Sequence, residues 1–151
     1  MLKKNRRQVA FPALHTIHSV GIIRDLDQDF DFYSQNWIRN SALTILDFNP
    51  KDEDRKQSEN EIGLSDFSFW GLPKKQKIEN FVSTPFDLLI NFSYNDDDAI
   101  AYICAKSIAK FKVSTAPFDT IYDLVIDLKQ QDGKSFINEI EKTVSNFNTK
   151  L

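Results

Sequence analysis

The chain has 151 residues, 41% hydrophobic and 27% charged, which is the balance of a soluble globular domain long enough to bury a core unaided. A formal charge of −3 and a pI near 5.4 exclude a predominantly phosphate-binding surface, so nucleic acid is not an expected partner. No apolar run approaches the ~18 residues that span a membrane, and the lone cysteine, Cys104, excludes a disulfide framework and points to a reducing, cytoplasmic setting.

In chain order, residues 1–14 read as a basic N-terminal arm, with Lys3, Lys4, Arg6 and Arg7 close together. SVGII (Ser19–Ile23) is a first apolar strand that ends at Arg24 and Asp25. Phe30, Tyr33, Trp37 and Ile38 then recur at the spacing of one helix face, behind acids at Asp27 and Asp29 that suit a helix start. ALTILDF (Ala42–Phe48) is a second strand, stopped by Asn49 and Pro50, and residues 49–65 read as a polar loop. DFSFWG (Asp66–Gly71) is a third, aromatic strand. Following so long a loop it is expected at the sheet edge, where uncovered rings would favour a homodimer.

A short helix over 75–82 closes before Pro85, because the residue preceding a proline avoids the helical region. FDLLINF (Phe86–Phe92) is the fourth strand. Ile100, Ile103, Cys104, Ser107, Ile108 and Phe111 line one side of a following helix, KFKVS (Lys110–Ser114) is a fifth strand and YDLVIDL (Tyr122–Leu128) a sixth. Phe136, Ile137, Ile140, Val144 and Phe147 mark a terminal helix. FDLLINF and YDLVIDL share the form aromatic-Asp-Leu-aliphatic-Ile-Asx-apolar, as equivalent strands of one sheet would.

Strand alternating with helix predicts an α/β three-layer sandwich, with a mostly parallel sheet of about five to six strands flanked by helices, in a single domain over 1–151. Ligands of such sheets bind outside the carboxyl ends of the strands. The candidate ligand-binding residues are therefore Asp25, Asp27, Asp47, Asn49, Ser93, Asp96 and Asp97, with Asn91 among the strand ends. The expected function is binding of a small ligand or a protein partner without a cofactor. NDDD (Asn95–Asp98) admits two readings. Its aspartates could contribute oxygen ligands to a Mg²⁺ ion. The favoured reading is a helix start, with Asp96 as cap and Asp97 and Asp98 in the first turn, where negative charge meets the positive end of the helix dipole.

Other chemistries are excluded by spacing. The four glycines, Gly21, Gly63, Gly71 and Gly133, are too dispersed for a Walker loop or a dinucleotide fingerprint, and no nucleophile elbow can be written. His15, His18 and Cys104 are too few for the common structural zinc spacings.

IIRDLDQD (Ile22–Asp29) resembles the first motif of haloacid-dehalogenase-type phosphatases, and INFSYNDDDAIAYICAKSIAKFKV resembles their late acidic motif. That resemblance implies a Mg²⁺-dependent phosphotransfer with Asp25 as nucleophile, Asp27 as acid/base, and Lys74, Lys75 or Lys77 offsetting phosphate charge. The sequence departs from the family at Gln28-Asp29, where Gly-Thr is usual, and at Asp47, where a Ser or Thr is usual. YDLVID is similar to one strand of heptosyltransferase-like enzymes. Over most of the chain, the series GIIRDLD, ALTILDFN, DFSFWG, ENFVSTPFDLLINF, AKFKVS and YDLVIDL resembles a group of small uncharacterised bacterial α/β proteins, which implies the fold and a cytoplasmic location and leaves activity open.

Overall fold

A computed structural model describes residues 12–26, 36–49, 59–63, 66–67, 75–93, 98–115, 121–126 and 133–149. Among these, six strands form one sheet: β1 (Ser19–Asp25), β2 (Ala42–Asn49), β3 (Glu61–Gly63), β4 (Leu88–Asn91), β5 (Lys112–Ser114) and β6 (Leu124–Val125). The helices are α1 (Asn36–Arg39), α2 (Gln76–Ser83), α3 (Asp98–Lys106) and α4 (Gly133–Thr149), and a short 3₁₀ turn covers Leu14–Thr16. The strand order is β3-β2-β1-β4-β5-β6 and every pair is parallel. This is the α/β sandwich that the alternating pattern predicts.

The sheet is apolar on both sides because both sides are covered. One face packs Ile23, Leu46, Phe48, Ile62 and Leu89 against Ile78, Phe81 and Val82 of α2 and against Ile100, Ile103 and Cys104 of α3. The other packs Val20, Ile22, Leu88, Ile90 and Val113 against Ile38 of α1, Phe136, Ile137, Ile140 and Val144 of α4, and Leu14 and Ile17 at the 3₁₀ turn. The central β4 has no exposed residue, as a strand roofed twice requires. Burial of each such Leu or Ile contributes about 1.5–3 kcal/mol.

Several boundaries differ from the sequence reading. The third strand lies at Glu61–Gly63, inside the segment read as polar loop, and Asp66 and Phe67 fall outside the regular strands. Ile62 alone gives β3 its apolar signal. Glu61 hides its carboxylate against Asn49, whose Nδ2 donates to Oε1 at 3.0 Å, so a charged residue occupies a buried strand position. Phe67 is not an uncovered edge ring: it is buried and meets Tyr102 edge-on, with centroids 6.4 Å apart. Ser68 to Gly71 lie outside the described residues.

α3 stops at Lys106, short of Ile108 and Phe111. The Ser107 hydroxyl accepts from the Ala109 amide at 3.1 Å, a local bond that competes with helix continuation and leaves Ile108 56% exposed. Leu14, the last residue of the segment read as a basic arm, packs against the core; residues 1–11 lie outside the described residues. α2 ends at Ser83 and Thr84 is extended, as Pro85 requires.

Candidate functional site

All six strands exit on one rim, and between β1 and β4 the chain changes its direction of travel across the sheet. From β1 it moves through β2 to β3; from β4 it moves through β5 to β6. The helices that follow β1 and β4, α1 and α3, pack on opposite faces of the sheet, and in folds of this kind ligands bind at such a reversal of strand order. Asp25 closes β1, and Asn91 closes β4 two residues before Ser93. The Phe92 amide donates to the Ile23 carbonyl at 2.7 Å, so β4 stays beside β1 up to its exit.

Across this point the Ser93 hydroxyl donates to Asp25 Oδ1 at 2.5 Å. Both are shielded, Asp25 at 5% exposure and Ser93 at 2%. Asn91 fixes Ser93 by an Asx turn, its Oδ1 accepting from the Ser93 amide at 3.1 Å. The Asn91 amide nitrogen donates in turn to the Tyr122 hydroxyl at 2.8 Å. Tyr122 comes from just before β6 and reaches back beneath the rim towards Cys104 and Ser114. Burial pushes the Tyr122 hydroxyl above its ordinary value, and the neighbouring Cys104 adds to the shift. Burial likewise pushes the Cys104 thiol up to about 12, so it is a core thiol and no nucleophile.

The remaining candidates divide between faces. Successive strand residues point to opposite sides, and Asp47 is level with Arg24, one residue out of phase with Asp25. Arg24 Nε donates to Asp47 Oδ1 at 2.6 Å on the α1/α4 side, and Asn49 pairs with Glu61 on that same side. Asp25 and Ser93 look the other way, towards α2 and α3. The rim therefore unites Asp25 with Ser93 and does not unite either with Asp47 or Asn49. Asp27, Asp96 and Asp97 lie outside the described residues. Asp98 opens α3 with its acid in the first turn, as the helix-start reading of NDDD expects.

Among the described residues, no group of three or more His, Cys, Asp or Glu could hold a metal ion. The lysines assigned to phosphate are engaged two strands away from β1: Lys75 Nζ lies 2.5 Å from the buried Asp66 Oδ1, and Lys77 Nζ donates to the Glu61 carbonyl. Desolvation by burial lowers the Lys77 pKa, against the opposing pull of Asp66. Lys74 lies outside the described residues. Sequence reasoning missed Tyr122 and Glu61. The kinship of YDLVIDL with FDLLINF was the available signal for Tyr122, since it placed a phenol where the paired strand has a core phenyl ring.

A family model matches residues 1–146. The chain belongs to DUF6913, a family of unknown function. No curated protein and no solved structure matches it. Membership of DUF6913 agrees with the likeness to a family without assigned activity, and nothing in the match joins the chain to the haloacid-dehalogenase-type phosphatases. None of the helices described is long and apolar enough to cross a membrane.

Proposed function

We propose that this DUF6913 protein binds a small polar ligand between the exits of β1 and β4, with Asp25 and Ser93 as its anchors. The observation that carries the reading is the 2.5 Å hydrogen bond from Ser93 to Asp25, made at the one place where the strand order reverses. Ser93, the residue that donates to the acid, is itself fixed by Asn91, which is anchored in turn on Tyr122, and such support is the preorganisation a binding site needs. Binding is favoured over catalysis because no motif in the sequence completes a nucleophile–base pair with these residues. Phosphate is disfavoured as the recognised group, since no glycine follows β1 to bring backbone amides onto it. The lone buried cysteine supports a reducing compartment, and we place the protein in the cytoplasm.

The test is a ¹⁵N-labelled full chain titrated with a panel of metabolite-sized sugars, amines, amino acids and organic acids. Saturable shifts should gather at the amides of Asp25, Leu26 and Asn91 to Ser93, and weaken in Asp25→Asn. Shifts confined to β3 or to the amino ends of the strands would overturn the location. Mg²⁺-dependent hydrolysis of a generic phosphomonoester, lost in Asp25→Asn, would replace binding by the phosphotransfer alternative.

A further inference from the structure

We draw no further inference here: the strongest candidate, the outer edge of β2 from Ala42 to Leu46, which among the described residues lies beyond the β3 pairing at Asp47–Asn49 and exposes Ala42 and Thr44, carries nothing because nothing in the structure shows what covers it.

Discussion

Asp87 and Asp123 do the same work on two different strands. Each immediately precedes a strand, β4 or β6, and each carboxylate accepts from backbone amides where the neighbouring strand begins. Asp87 Oδ2 takes the His18 amide at 2.8 Å and the Ser19 amide at 3.2 Å; Asp123 Oδ2 takes the Lys112 amide at 2.8 Å. Each aspartate returns its own amide to the same neighbour, Asp87 to the Ser19 carbonyl and Asp123 to the Lys112 carbonyl. The kinship of FDLLINF and YDLVIDL is thus a rule for starting a parallel pair: a side-chain oxygen satisfies amides that the ladder has not yet reached. These acids sit on the amino rim, opposite the candidate site, and their role is structural.

Removing one of them should cost stability in a pH-dependent way. Asp87→Ala leaves the His18 and Ser19 amides without this acceptor, a loss of about 1–3 kcal/mol. Its Lys110 partner is 69% exposed, so the ion pair itself contributes at most ~1 kcal/mol. Burial alone would raise the Asp87 pKa. The Lys110 hydrogen bond, the His18 amide, the charge of Lys110 and the Ser19 amide outweigh it and hold the carboxyl below its ordinary value. A folded pKa below the unfolded one gives stability that is complete above the unfolded value and lost as pH falls through the folded one. Urea unfolding should therefore show a constant gap between wild type and Asp87→Ala at neutral pH, narrowing below about pH 4. A gap independent of pH into strong acid would show that the charge of Asp87 contributes nothing.

Gly21 is required by Phe86. A Cβ built on Gly21 would lie 2.7 Å from Phe86 Cε2 and 2.8 Å from Cδ2, closer than real Cβ contacts. Phe86 is itself buried at 1% exposure and packs on Phe81 with centroids 5.0 Å apart, so the ring has little room to yield. Gly21→Ala should destabilise by about 1–3 kcal/mol through overpacking. Phe86→Leu leaves a cavity alone, yet in combination it should recover part of the Gly21→Ala loss. Additive losses in the double variant, measured by urea unfolding, would place the cause elsewhere.

The layers were legible because hydrophobic periodicity reports burial directly: β1, β2 and β4 and helices α2 and α4 stand close to where their patterns put them. β3 was not legible, because its one isoleucine sits between Glu61, neutralised as a polarity signal only by its partner Asn49, and a glycine. Pairing across strands is invisible in a linear string. The same limit governs the site. Asp25 and Ser93 could each be named from the ends of their strands, but 68 residues separate them, and only the reversal of strand order makes them neighbours. Asp47 was grouped with them by position along its strand, and is separated from them by the pleat, since a shift of one residue changes the face.

Cys104 offers a readout of the network beneath the site. Its thiol is fully buried on α3, and burial pushes its pKa up to about 12 against the opposing hydrogen bond from Tyr122. In the unfolded chain a cysteine ionises near ~8.5. A folded pKa above the unfolded one gives stability that is complete below the unfolded value and is lost as pH rises towards the folded one. Wild type should lose about 1–2 kcal/mol between pH 8 and pH 10 relative to Cys104→Ala, a comparison in which the other tyrosines and the lysines cancel. Alkylation should follow the same logic. Iodoacetamide should leave the folded chain unmodified, and modification should rise along the urea unfolding curve, because the reagent meets the thiol only in the open form. Rapid alkylation of the folded protein, or parallel pH profiles for wild type and Cys104→Ala, would show that α3 opens locally and that the Cys104–Tyr122–Asn91 chain does not hold Ser93 in place.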